Sequence, residues 1–274
     1  MNTKKTVSSI ALNIVVWFFS LIMFIPFLFM VVSSLMTSRE AARMTIAIPE
    51  SLQWENFSVV IERGNLAITF LNSTLYSVAS VFLVMILASM SAYVLSRNRT
   101  KLHNFLYFFI VLGITMPINF VTLIRVMQVL HLMNSRIGLI LLYTAVQMPF
   151  NVFLLYAFIG RIPNDVDEAA IIDGCKPMQL FFYVIFPLLK PVLVTVMVLT
   201  FLNTWNEFIL PLYVLGSSTL WPMTLAVYNF FGMFFRDWNL ISANLLLTSL
   251  PVILVYLFGQ KHIVAGMTAG AVKG

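Results

Sequence analysis

The stretch EAAIIDGCKPMQLFFYVIFPLLKP, Glu168 to Pro191, interrupts a chain that is 61% hydrophobic and only 9% charged. With the residues just ahead of it, it gathers four acids, Asp165, Asp167, Glu168 and Asp173, into nine positions. Carboxylates this dense are too costly to sit in hydrocarbon, so the stretch must lie outside any layer its apolar neighbours cross. What those neighbours are decides the fold.

Outward from it, six windows are dominated by Leu, Ile, Val, Phe and Met: residues 10–35, 68–95, 105–124, 137–159, 188–212 and 240–258. Each reaches the ~20 residues that cross a core about 30 Å thick at about 1.5 Å per residue. The pattern predicts an all-α polytopic membrane protein with six transmembrane helices. Lys4 and Lys5 precede the first run as in a signal peptide, but the run is too long and lacks an Ala-x-Ala cleavage site, so it reads as a retained first span. Residues 221–238 are aromatic-rich, yet their least polar part, residues 223–235, is short and carries Asn229 and Gly232. That part reads as an interfacial or re-entrant hairpin.

The formal charge of +6 comes from basic residues scattered over short loops, which argues against a nucleic-acid surface. With the N-terminus inside, Lys4, Lys5, Arg97, Arg99, Lys101, Arg161, Lys176, Lys190, Lys261 and Lys273 fall inside, and Arg39, Arg43, Arg63, Arg125, Arg136 and Arg236 fall outside. This bias puts both termini and the acidic stretch in the cytoplasm. Cys175 is alone, and His103, His131 and His262 are far apart in sequence, so no disulfide or metal cluster is expected. The sequence has no Gly-x4-Gly-Lys-Ser/Thr phosphate loop; any nucleotide that powers it binds another chain.

Residues 162–172 read as a short helix that begins near Asn164, with a capping side chain and acids in the first turn, where the helix dipole favours them. Asp173-Gly174 ends it in a tight turn. Pro177 opens a second helix, residues 178–186, which Pro187 closes. One reading is a loop resting on the bilayer; the other is a helix-turn-helix knob for a groove in a protein. Four carboxylates facing anionic lipid favour the second.

The run Glu168-Ala169-Ala170, Asp173-Gly174, Phe181, Pro187 and Pro191 resembles, in full register, the EAA loop of type I permease subunits of bacterial ABC importers. Trp205-Asn206-Glu207-Phe208, Leu210-Pro211-Leu212 and the tail from Val264 to Gly274 are similar to the carbohydrate-uptake branch, specifically its shorter, maltose-type subunit. Cys175 stands where the family usually has Ala.

The resemblance implies a type I ABC importer permease fold of six spans with N- and C-termini cytoplasmic. Residues 1–67 would form the first helix and first extracytoplasmic loop, 68–262 the permease core with its 161–187 coupling loop, and 263–274 a cytoplasmic tail. It implies that the elbow docks in a cleft of a separate ATPase, with Glu168 making a charge-assisted contact, Ala169 and Ala170 allowing close approach and Gly174 making the bend. Asp173, Phe181 and Pro187 complete this coupling set. The chain would be no enzyme and hold no cofactor, with ATP and Mg on the ATPase. Its implied partners are a second permease subunit, cytoplasmic ATPase subunits, an extracytoplasmic solute-binding protein, membrane lipid and a sugar or oligosaccharide, in the bacterial cytoplasmic membrane.

Polar residues at i, i+4 inside spans should point away from lipid. Such pairs are Thr115 and Asn119, Gln147 and Asn151, Asn203 and Glu207, and Asn244 and Thr248. Gln147, Asn151, Asn203, Asn206 and Glu207 are candidates for the translocation pathway. The competing reading is bundle-holding hydrogen bonds, worth about 0.6 kcal/mol each. Glu207 is the sole acid in a span, and a secondary transporter with a proton or cation site there is the alternative, as is an ABC permease for a non-sugar solute. The stripe Thr69, Ser73, Ser77, Ala88 and Ser91 reads as close helix packing.

Overall fold

The computed structural model describes the backbone of residues 2–232 and 236–271 and, within those ranges, the side chains of 12–261. Lys4, Lys5, His262 and the tail match from Val264 on lie outside the described side chains, and Lys273 outside the described residues. The chain is helical: α1 (Asn2–Ser34), α2 (Ser38–Ala41), α3 (Glu55–Arg63), α4 (Leu66–Arg97), α5 (Lys101–Leu112), α6 (Phe120–Val129) and α7 (Arg136–Ile159). There follow α8 (Asp165–Ile172), α9 (Pro177–Leu188), α10 (Lys190–Asn206), α11 (Ile209–Val214), α12 (Met223–Ala226) and α13 (Trp238–Ala271).

Among the described residues, four helices are long and apolar enough to cross a membrane: Leu12–Ser34 within α1, α4, α7 and Trp238–Lys261 within α13. The pair α9 and α10, bent by 80°, makes up to five. The third apolar window differs from the expected single span, because residues 113–119 part α5 from α6. Pro117 offers no N–H and biases the residue before it away from helix. Thr115 and Asn119 therefore do not share a helix face: the Thr115 hydroxyl donates to the Leu112 carbonyl at 3.1 Å, and Asn119 caps α6 by accepting from the Thr122 N–H at 3.0 Å.

The chain forms two compact units, Met1–Ala67 with Ala226–Leu250 and Ile68–Leu225 with Pro251–Gly274. In the first, buried Asn56 donates to the carbonyls of Ser34 (2.8 Å) and Met36 (2.9 Å) and accepts from the Asn239 amide (2.9 Å). It thus closes the end of α1, whose last carbonyls lack partners within the helix. Thr37 and Glu40 cap α2 reciprocally. Donation by the Thr37 hydroxyl, the Thr37 N–H and the Glu50 N–H holds the Glu40 carboxyl below the usual carboxylate range.

The second unit has two cores. One joins the C-terminal halves of α4 and α7 to α8, α9 and the start of α10, through Ala88, Ala92, Leu155, Ile159, Phe181 and Val196 among others. The other joins Tyr76 of α4, Leu139 and Tyr143 of α7, Met127 of α6 and Leu210 and Val214 of α11. Hence α4 and α7 run the same way while α10 and α11 run back. Thr69, Ser73, Ser77 and Ala88 are buried, so the small-residue stripe of α4 packs against neighbours. On α13 a Cβ at Gly259 would lie 2.8 Å from Val198 Cγ1 of α10, so any larger residue would force a shift in this close approach.

Replacing Asn56 with Ala strands two carbonyls and one amide. The expected cost is ~1–3 kcal/mol, read as a lower thermal midpoint of the purified protein in detergent. An unchanged midpoint would contradict the hub role.

Candidate functional site

The acidic stretch folds as an elbow, α8 and α9 joined by a tight turn. Asn164 precedes α8 but does not cap it with its side chain as expected, because its backbone is already helical (φ −66°, ψ −25°). A capping side chain reaches the first-turn N–H groups from an extended backbone. Instead the Asn164 carbonyl accepts from the N–H groups of Asp167 (2.9 Å) and Glu168 (3.1 Å). At the other end Gly174 adopts φ +84°, its N–H donates to the Ile171 carbonyl and the Cys175 N–H donates to the Ala170 carbonyl, both at 3.0 Å. This pair of bonds is the Schellman stop that the Asp-Gly pair predicts.

In the second limb the Lys176 N–H donates to Gln179 Oε1 at 2.9 Å, and Pro177 opens α9. Residues Leu180–Ile185 widen into a π-helical turn. Pro187 does not close the helix, contrary to expectation. It lies inside the last turn, Phe186–Leu188, and the 80° bend comes after it, at Leu189. Pro191 then occupies the first turn of α10, where its missing N–H costs nothing.

The elbow has an inner and an outer face. Ala170, Leu180, Phe181 and Ile185 are buried in the core, so Ala170 and Phe181 serve the seating of the elbow and are not available at its surface. Ala169, Glu168, Asp165, Asp173, Gly174 and Pro187 are exposed. Ile171 and Ile172 are exposed too, Ile172 by 84%, which makes an apolar tip rimmed by carboxylates.

Asp167 alone of the four acids turns inward, and it is 8% exposed. Its carboxylate lies 2.7 Å from an Arg97 guanidinium nitrogen and accepts from the Tyr93 hydroxyl at 2.6 Å. Arg97 also donates to the Ile162 carbonyl at 3.0 Å. A carboxylate this far from water requires such a cation; removing one member of a buried pair typically costs about 3–5 kcal/mol. The Tyr93 ring in turn lies 5.7 Å from that of Phe181. Both limbs of the elbow therefore rest on the last turns of α4.

A second constellation lies where α7 meets α10. The Asn203 amide donates to Gln147 Oε1 at 3.4 Å, and Asn151 donates to the Gln147 carbonyl (2.8 Å) and the Thr200 hydroxyl (3.2 Å). Asn151 is buried and braces the two helices, while Asn203 and Asn206 are exposed and Gln147 is half-buried. Asn206 donates to the Leu202 carbonyl at 2.8 Å.

Asn203 and Glu207 do not share one helix face, because α10 ends at Asn206 and Glu207 is extended (ψ 127°). Its Oε1 accepts from the N–H groups of Ile209 (2.8 Å) and Leu210 (3.1 Å), so the carboxylate caps α11. Its backbone carbonyl accepts from the Thr224 hydroxyl at 2.9 Å.

The family model described as "binding-protein-dependent transport system inner membrane component" matches residues 84–269, which contain the elbow and the α7–α10 cluster. The chain belongs to this family. It is thus a permease subunit of the ABC class, a multi-pass protein of the cytoplasmic membrane, and family membership disfavours a secondary transporter.

Relatives agree along the whole length. The chain is 37% identical to the putative ABC transporter permease protein ORF2 of Caldicellulosiruptor sp., over 99% of this chain and 98% of that one. It is 33% identical to the diacetylchitobiose uptake system permease protein NgcG of Streptomyces coelicolor, over 95% and 87%. Its fold matches a chain of a bacterial ABC transporter involved in import of the acidic polysaccharide alginate, with a TM-score of 0.82, 20% identity and coverage of 94% and 97%.

Sequence reasoning found the turn and the outward acids of this family's elbow but missed the Asp167 anchor and its partners on α4. A signal was present: Asp167 lies three residues before Ala170 and one before Glu168, so it shares a side of the short helix with the small residue Ala170, where an acid needs a partner. The turn makes its own test. A Cβ at Gly174 meets nothing within 4 Å, so Gly174→Ala pays only the left-handed backbone cost, about 1–2 kcal/mol. Hydrogen exchange across residues 165–186 is expected to speed up in Gly174→Ala and to stay near the parent in Gly174→Asn, which tolerates that conformation. Equal exchange in all three proteins would refute the turn assignment.

Proposed function

We propose that this chain is one of two permease subunits of a binding-protein-dependent importer, forms half of a translocation pathway for a sugar or oligosaccharide, and is driven by ATP hydrolysed on a separate subunit. The observation that carries the reading is the outward face of the elbow. Exposed Glu168, one turn before, and Asp173, next in sequence, flank the exposed apolar pair Ile171 and Ile172, with Asp165 a turn further back, and the tip is shaped by a Gly174 turn on a buried seat. Such a surface suits a basic-rimmed, apolar groove in a protein and suits anionic lipid poorly. Glu168 and Ala169 make the contact with the ATPase, Gly174 shapes it, and Ala170, Phe181 and Asp167 hold the elbow from within; Asp173 adds to the acidic rim and Pro187 stiffens the second limb.

The nucleotide and its Mg belong to that ATPase. A solute-binding protein delivers the cargo from outside. Six spans fit if α5, the 113–119 break and α6 count as one broken crossing and α9 stays in the interface, with both termini then in the cytoplasm. A break of this kind is tolerated where it is buried in protein or lines a water-filled cavity.

The uptake activity named for the diacetylchitobiose relative supports a sugar as cargo. Exposed Asn203 and Asn206, with half-buried Gln147, offer amide donors and acceptors of the kind that hydroxyls bind. Asn151 and Glu207 take positioning roles, bracing α7 to α10 and capping α11.

Glu168→Arg should abolish ATP-driven uptake and recovery of the ATPase with the permease, while insertion in the membrane stays at the parent level. Uptake at the parent rate would remove the coupling reading. Glu207→Gln keeps a carbonyl oxygen for the Ile209 and Leu210 N–H groups, so uptake should remain ATP-driven and indifferent to a proton ionophore. A switch to dependence on the proton gradient would instead mark Glu207 as a proton site.

A further inference from the structure

The two ends of α4 hold different parts of the second unit. At its C-terminal end Tyr93 and Arg97, four residues apart and so on one face, grip the elbow at three places. Tyr93 donates to Asp167 in the first limb and lies against Phe181 of the second, and Arg97 binds Asp167 and the Ile162 carbonyl at the elbow's entry. At its N-terminal end Asn72 donates to the carbonyls of Thr219 (2.9 Å) and Trp221 (3.1 Å), and the Tyr76 hydroxyl donates to the Leu220 carbonyl (2.7 Å). Ser73 Oγ accepts from the Met223 N–H at 2.8 Å. The far loop is therefore tied to α4 by its backbone, whatever its side chains are.

Between Tyr76 and Tyr93 the helix runs ~26 Å at about 1.5 Å per residue. All 32 residues of α4 lack glycine and proline, which removes the usual sites of a sharp kink. We propose that α4 is a connecting rod: Tyr93 and Arg97 are positioning residues that pass a displacement of the elbow to α4, and α4 passes it to the loop at residues 219–223. The proposal rests on the reading of the elbow as the ATPase-facing surface. It assigns functions to residues that touch neither the ATPase nor the cargo.

The test uses the complex purified through a tag on this chain and placed in lipid nanodiscs, on a Cys175→Ala background. A fluorophore is attached either to Lys176→Cys beside the elbow's turn or to Ser218→Cys beside the far loop. In the parent, ATP is expected to change both signals. In Arg97→Gln and in Tyr93→Phe the elbow signal keeps its ATP response, while the far-loop response falls by roughly fivefold or more, the low end of an allosteric coupling.

A far-loop response that is undiminished in both variants overturns the proposal. Should Arg97→Gln fail to assemble, Tyr93→Phe decides alone, since it keeps the ring against Phe181 and loses one hydroxyl. A merely structural role would lower thermal stability and leave the two responses tied together. An elbow that ignores ATP in the parent, by contrast, removes the ATPase-facing reading and the rod with it.

Discussion

In a chain with so few charged residues, each polar group withdrawn from water must find a partner inside the protein, because hydrocarbon supplies none. That constraint explains most of the specific contacts in this molecule. Asp167 is seated by Arg97 and Tyr93, Glu207 by two backbone N–H groups, Asn56 by two carbonyls and an amide, and Asn151 by Gln147 and Thr200. Apolar side chains are abundant on all the long helices and so discriminate poorly between arrangements; these few polar contacts fix which helix meets which.

The constraint divides the acidic stretch into two roles. Glu168, Asp165 and Asp173 remain exposed, and Asp167 goes inside, where charge fixes position. Adjacent residues on a helix point about 100° apart at 3.6 residues per turn, which is enough to separate the two faces. The buried alanine Ala170 and the exposed alanine Ala169 divide in the same way. The elbow accordingly has one face packed on the bundle and one exposed.

Features set by neighbouring residues were legible in the sequence. The Gly174 turn, the acids of the α8 first turn and the small-residue face of α4 follow from local backbone chemistry or from helical spacing. What depended on distant partners was not. Arg97 lies 70 positions from Asp167 and read only as an orientation signal, and the capping function of Glu207 required a break in the helix that i, i+4 spacing assumed away. The third apolar window had the right length for a span, and hydropathy alone does not register the break around Pro117. Asn164 looked like a cap by composition, but its helical backbone denied the side chain the geometry.

The account stands on the elbow's outer face meeting a nucleotide-hydrolysing subunit. The most direct measurement is photo-crosslinking from a single unnatural residue placed at Ile172, on the exposed tip, or at Ala170, two residues earlier on the buried face, in native membranes. The account predicts an adduct between residue 172 and an ATP-hydrolysing protein that is absent from residue 170. Adducts confined to lipid at position 172 would contradict it.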